Sequence, residues 1–278
     1  MIDQHRFGLN RIIAPAWGLA EFFDFAASVG INKVELRNDI RDNHPIDGMA
    51  PAAAARLAAD QGVQIITINA MQKFNLASVR AQATGELKAL LDLSAAIGRP
   101  AIVLCPNNDP ADARLPARRA AETTEALAAF GPLFTAAGIT GLVEPLGFGI
   151  SSLASLVVAQ DCIRRSGFSC YRTVIDTFHH FIGPEDSAIL GGAYDVSTTG
   201  LVHVSGVEAD IPVSDFRDEH RVMVGPADRM DSKGQVQRLD RLGYAGVYSF
   251  EPFSPAVQKL GRKELADAVR RSIEFIRA

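Results

Sequence analysis

Residues 153–176 read LASLVVAQDCIRRSGFSCYRTVID: a stretch of helical period, a glycine, a short connection, and an apolar run that stops at an aspartate. A helix whose C′ residue must adopt a positive φ ends well in Gly, and a strand that starts soon after completes one repeating unit. The same grammar runs along the chain. Helical stretches such as GLAEFFDFAASVG, PAAAARLAADQG, RAQATGELKALLDLSAAIG and RRAAETTEALAAFGPLFTAAG end in Gly30, Gly62, Gly98 and Gly138, with Gly167 and Gly243 placed alike. Between them lie RFGLNRII (6–13), NKVELR (32–37), VQIITINA (63–70), PAIVLC (100–105), ITGLVEP (139–145), RTVID (172–176), TGLVHVSG (199–206) and YAGVYSFEP (244–252), which makes eight strands. Nearly continuous apolar strands alternating with helices imply a parallel sheet covered by its crossovers. Eight such units in about 250 residues predict an α/β fold of the (β/α)8 barrel type. The sixth helix is placed around PEDSAILGG (184–192). No linker divides residues 1–278, so one domain is expected; a doubly wound open sheet is the alternative, without a G-x-G-x-x-G to support it.

Composition narrows the function. The chain is 47% hydrophobic and 22% charged with a formal charge of −4, which fits a soluble domain with a sizeable core. No apolar run approaches the roughly 20 residues of a membrane span, and MIDQHRFGLN lacks the apolar core of a signal peptide. A cytoplasmic protein that binds neither membrane nor nucleic acid is therefore expected. Cys105, Cys162 and Cys170 are odd in number and lack metal-ligand spacing, so they read as reduced thiols.

In such a barrel the chemistry sits at the C-terminal ends of the strands. Glu144 ends the fifth run, Asp176 the sixth and Glu251 the eighth, while His203 lies in the seventh. One acid at a strand end is more often a cap or a salt-bridge partner. Four polar residues converging on one mouth are different, because unpaired buried carboxylates repel and cost several kcal/mol each. A divalent metal ion resolves the conflict; three carboxylates and one imidazole suit Mn²⁺, Mg²⁺, Co²⁺ or Zn²⁺ and leave room for substrate. Of the neighbours, His180 reads as a loop or packing residue, His5 and His44 as solvated, and Cys105 as a small buried hydrophobe.

VIDTFHHF (174–181), LVHVSG, YSFEPF and Glu144 together resemble the xylose isomerase-like TIM barrel superfamily of sugar isomerases, ketose epimerases and AP endonucleases. Within it, VELRND, INAMQKFN, HVSGVEADIP, DEHRVMVG and LGYAGVYSFEPFSPAVQKL are most similar to the branch of 2-keto-myo-inositol isomerase (inosose isomerase) of inositol catabolism. The resemblance implies one divalent metal on Glu144, Asp176, His203 and Glu251. It also implies that His179, on the loop after the sixth strand, reaches a substrate oxygen, and that Asn10, Asn69 and Arg221 contact substrate. The chain departs from the pattern at VGPADRMD (224–231), where relatives carry Gly-x-Gly, which bears on the placement of Arg221.

The implied reaction moves the carbonyl of a cyclic α-hydroxyketone to the neighbouring carbon through an enediolate, with Glu144 and Glu251 as base and acid and His179 steadying the negative oxygen. A ketose epimerase or isomerase acting on a free monosaccharide needs the same site. An AP endonuclease is the reading from another class, since Asp218-Glu219-His220 mimics a motif that binds further metal there; it would need histidines near the second and third strands, where none stands. A non-catalytic sugar-binding barrel leaves Glu144 and Glu251 unexplained. The expected partner is a small cyclitol or sugar. Barrels of this type often pair, which leaves a homo-oligomer open.

Overall fold

The computed structural model describes residues 2–278. Strands β1 (Phe7–Asn10), β2 (Lys33–Arg37), β3 (Gln64–Met71), β4 (Ala101–Leu104), β5 (Gly141–Val143), β6 (Tyr171–Asp176), β7 (Thr199–Val204) and β10 (Tyr248–Phe250) pair in parallel and close into a barrel, β10 lying between β7 and β1. A small antiparallel pair, β8 (Gly206–Val207) and β9 (Arg221–Val222), stands apart from it after the seventh barrel strand. Helices α1 (Leu19–Ser28), α2 (Pro51–Asp60), α3 (Arg80–Ala96), α4 (Pro116–Ala137), α5 (Leu156–Ser166), α6 (Thr177–Ile182), α7 (Ser232–Arg241), α8 (Pro255–Gln258) and α9 (Arg262–Arg277) follow the strands. The (β/α)8 architecture is as predicted. All six glycines read as helix terminators take positive φ, from 63° at Gly138 to 103° at Gly98. No helix among the described residues is long and apolar enough to cross a membrane.

The sixth crossover differs from expectation. PEDSAILGG contains only the 3-10 turn Ser187–Ile189, whereas helix α6 starts directly after β6. The Asp176 carboxylate accepts the Phe178 backbone N–H at 2.7 Å and so starts the helix at the strand end. Pro184 stops it, because the residue before a proline is driven out of the helical region, and Gly183 is extended (φ −74°, ψ −179°). His179 therefore lies on a helix rather than on a loop, which fixes its position relative to Asp176.

Side chains alternate along a strand, so each strand serves two cores. Leu9, Val34, Leu36, Ile175, Val202, Val204 and Phe250 pack outward against the helices. Val103, Leu142, Val174 and Leu201 fill the barrel interior. Two residues further along the strands, the same inward face carries Glu144, Asp176 and His203 instead of hydrocarbon. The register aligns them: Asp176 pairs with His203, His203 with Ser249, Asn10 with Glu35, and Arg37 with Asn69. The barrel is thus apolar at its waist and polar at its C-terminal mouth.

Candidate metal centre

Four of the predicted residues meet at that mouth. Glu144, Asp176, His203 and Glu251 are all buried and offer donor atoms that lie within 4.8 Å of one another. Among the described residues this is the only cluster of His, Cys, Asp and Glu so arranged. His203 is the hub: its Nδ1 lies 2.7 Å from Glu144 Oε1 and 3.3 Å from Glu251 Oε2. Its Nε2 faces the other way, 3.1 Å from Glu35 Oε2. Glu35, in the middle of β2, is fully buried and also accepts from Thr67 Oγ1 at 2.6 Å and Asn69 Nδ2 at 2.8 Å.

Two buried guanidinium groups hold the carboxylates in place. Arg221 donates through Nη2 to Asp176 Oδ2 (2.7 Å) and Glu251 Oε2 (3.0 Å), and through Nε to Ser205 Oγ (3.0 Å). Its place on β9 brings it inward despite the altered VGPADRMD segment, and it is only 1% exposed. Arg37 donates to Glu251 Oε1 at 2.9 Å and grips Asp39 with two further bonds of 2.7 and 2.5 Å. Both guanidinium groups lie over the Phe253 ring, at 5.0 Å for Arg37 and 4.6 Å for Arg221. Asn10 sits behind Glu251 rather than on the cavity wall: its Nδ2 donates to Glu251 Oε1 at 3.0 Å and its Oδ1 accepts from Ile12 N at 3.0 Å. Asn69 does reach the wall, where it lines a cavity of about 230 Å³ with Arg37, Glu144, His179, Arg221 and Glu251.

A family model described as xylose isomerase-like TIM barrel matches residues 23–278. The chain belongs to that family. Among solved structures, a xylose isomerase domain containing protein from Salmonella typhimurium LT2 is 37% identical, covering 100% of this chain and 99% of its own, with a TM-score of 0.93. The IolI protein, described with a bound zinc atom, superposes with a TM-score of 0.87 at 18% identity over 98% of this chain and 97% of its own. A D-psicose 3-epimerase from Clostridium cellulolyticum H10 gives 0.76 at 16% identity, over 98% of each chain. At such identities the last two show the fold alone. No curated protein matches the chain by sequence.

In this xylose isomerase-like barrel the mouth is rich in negative charge: Glu35, Asp39, Glu144, Asp176, Asp218 and Glu251 face two arginines and one imidazole. Burial alone would lower the His203 pKa, but the carboxylates of Glu251, Glu35 and Glu144 outweigh it and hold the imidazole well above its ordinary value. Burial likewise opposes ionisation of Glu35, yet the charge and hydrogen bond of His203 and the Thr67 hydroxyl bring it down to about 2. Glu251 goes the other way, because burial dominates over its cationic neighbours. Acids outnumber cationic groups here, and four donors, three of them carboxylate oxygens on strand ends, could hold a divalent metal ion.

The remaining predicted residues divide. His179 lines the cavity, packs edge-on against Phe148 (5.1 Å) and Phe178 (5.3 Å), and its Nδ1 has no hydrogen-bond partner. Burial lowers its pKa, which favours the neutral ring. His180 is buried too but does not line that cavity; it borders a void of about 10 Å³ that it shares with Asp176, His179 and Glu185. His5 and His44 are exposed. Cys105 is buried in the apolar cluster of the barrel interior, as read, and its thiol also reaches the mouth, with Sγ 3.5 Å from Glu144 Oε2. His220 accepts the Arg217 backbone N–H at 3.0 Å, capping its own turn outside the cluster. Sequence reasoning missed Glu35 and Arg37. Their signal was the two-residue period of VELR, which puts both on the inward face of β2.

Proposed function

We propose that this protein is a metal-dependent isomerase that moves the carbonyl of an inosose, 2-keto-myo-inositol or a close analogue, to the neighbouring carbon. The observation that carries this reading is the placement of Glu144 and Glu251 at 2.7 and 3.3 Å from His203 Nδ1, both lining one cavity. That cavity, at about 230 Å³, is smaller than the ~300–1,000 Å³ of typical ligand pockets, which suits one small ring. The sequence resemblance to the inosose branch supplies the substrate. Glu144, Asp176, His203 and Glu251 would hold the metal ion, which would contribute Lewis-acid stabilisation of negative oxygen.

The chain's own groups then divide the proton work. One of the two glutamates removes the proton from the hydroxyl-bearing carbon, and a proton is returned to the former carbonyl carbon, the face bearing the hydrogen deciding which glutamate starts. The hydroxyl proton passes from one substrate oxygen to the other within the enediolate. Arg37, Asn10 and Arg221 keep Glu251 oriented throughout. His179, which lines the same cavity, would meet the oxygen on which charge develops. A ketose epimerase would use the same groups, and epimerases share the fold. NMR of the metal-loaded protein in D₂O with scyllo-inosose and with free ketoses separates the two. Deuterium entering the inosose next to its carbonyl, with a new inosose appearing, is the expected result; exchange only in a ketose would replace the reading by epimerisation, and no exchange in either would sink both.

A further inference from the structure

Glu35 is a carboxylate in the wall of the barrel, at a depth where hydrocarbon would be expected and outside the substrate cavity. Burying such a charge costs several kcal/mol unless it is paired and hydrogen-bonded. Here one oxygen, Oε2, gathers Thr67 Oγ1 (2.6 Å), Asn69 Nδ2 (2.8 Å) and His203 Nε2 (3.1 Å). Two of those partners come from the adjacent strand β3. The third comes from β7, which is separated from β2 around the barrel by β10 and β1. Glu35 thus ties His203 across the barrel while the opposite ring nitrogen faces Glu144 and Glu251.

We infer that Glu35 is a positioning residue that makes His203 a metal ligand through Nδ1. A neutral imidazole carries one ring proton, and only the tautomer with hydrogen on Nε2 leaves the Nδ1 lone pair for a cation. A carboxylate at Nε2 selects that tautomer, fixes the ring plane and makes Nδ1 more basic; losing such a partner typically costs ~10- to 100-fold in metal affinity. Thr67 and Asn69 hold the Glu35 carboxylate at the required point. The inference rests on the proposed four-residue metal site, and the experiment keeps the two apart.

Glu35→Gln retains the size and one acceptor oxygen of the side chain, and Thr67→Val removes one of the bonds that orient it. The dissociation constant for Zn²⁺ is measured by competition with a chromophoric chelator, and the His203 tautomer by ¹⁵N NMR of the imidazole. Wild type should bind about one equivalent with the Nε2–H tautomer. Glu35→Gln should weaken Zn²⁺ binding by about 10- to 100-fold, with thermal unfolding of the metal-free protein near that of wild type and turnover recovering at saturating metal. Thr67→Val should show the same pattern at smaller size, and it remains informative if Glu35→Gln does not fold. Unchanged Zn²⁺ affinity and ring signals in either folded variant, with wild type binding normally, would overturn the role of Glu35. A wild-type protein that takes up no metal would instead overturn the site on which the role depends.

Discussion

Two clusters of charge lie at the C-terminal side of this barrel, and they are built on opposite principles. Near the start of α4, Asp112 and Glu122 face Arg114, Arg118 and Arg119. Arg114 grips Asp112 with bonds of 2.9 and 2.6 Å and reaches Glu122 at 2.6 Å, where Arg118 adds a bond of 2.6 Å. Cations outnumber acids there, and both acids are driven toward the ionised form. At the mouth, acids outnumber the arginines, Glu251 is pushed toward the protonated form, and His179 keeps a ring nitrogen without a partner. A charge cluster that closes on itself is a clasp; one that leaves anions in surplus around a cavity could hold a cation, as proposed for this mouth.

The largest expected effect tests the second half of that contrast. Glu144→Gln and Glu251→Gln preserve shape while removing a proton-transfer group, so each should lower kcat by ~10² to 10⁴-fold. Metal content, measured on the same preparations, should fall much less than turnover. Full turnover in either variant would reduce that glutamate to a charge in the cluster.

Next in size is the clasp. Arg114→Ala leaves Asp112 and Glu122 short of their shared partner, and removing one member of a buried pair costs about 3 kcal/mol at the low end, which suits a guanidinium that is partly exposed. Denaturant unfolding should show that loss while turnover stays at the wild-type value, since none of these residues lines the cavity that holds Glu144 and Glu251. Falling kcat at wild-type stability would mean the two clusters are coupled.

His179→Asn comes slightly below. A donor to a developing oxyanion is worth on the order of 10²-fold, roughly 2.7 kcal/mol, and the variant should keep its metal and fold. His180→Asn, whose side chain does not line the cavity of Glu144 and Glu251, should be nearly silent in kcat. Equal effects in the two variants would show that α6 has been disturbed as a unit. Loss of metal in His179→Asn would make it a ligand.

The contrast also marks what was readable beforehand. Helices ended by Gly30, Gly62, Gly98, Gly138, Gly167 and Gly243 announce the barrel because a positive φ is a local requirement. Glu144, Asp176, His203 and Glu251 could be picked out because each interrupts or ends an apolar run on its own strand. Glu35 and Arg37 needed one further step, reading the face of β2 as well as its end. Helix α6 has only six residues, too few for a period, and its signals were a cap at Asp176 and a stop at Pro184. The bonds of Asn10 to Glu251, 241 positions apart, and of Arg221 to Asp176, 45 apart, arise from barrel closure and from the β8–β9 pair, which no local pattern encodes. Residue types at the site were visible; which of them hold one another was not.

The smallest effect is one of pH, and it asks whether the clasp works through charge. Hydrogen bonds from Arg114 hold the Asp112 carboxyl well below the usual carboxylate range. For Glu122, burial opposes ionisation, but the Ala77 backbone N–H, Arg114 and Arg118 outweigh it and also lower the pKa. In the unfolded chain these groups titrate near their ordinary values of ~3.9 and ~4.3. Between the unfolded and folded values the unfolded state binds more protons, so stability rises with pH there. The clasp's contribution is therefore complete above about pH 5 and is lost as pH falls through the folded values. Arg114→Ala removes a chief cause of both depressions, so the stability gap between wild type and variant should be full at pH 7 and narrow steadily below about pH 5. Unfolding free energies measured from pH 3 to pH 7 read this directly. A gap of constant size would assign the loss to packing of the Arg114 stem, and the two clusters would then differ in shape rather than in charge balance.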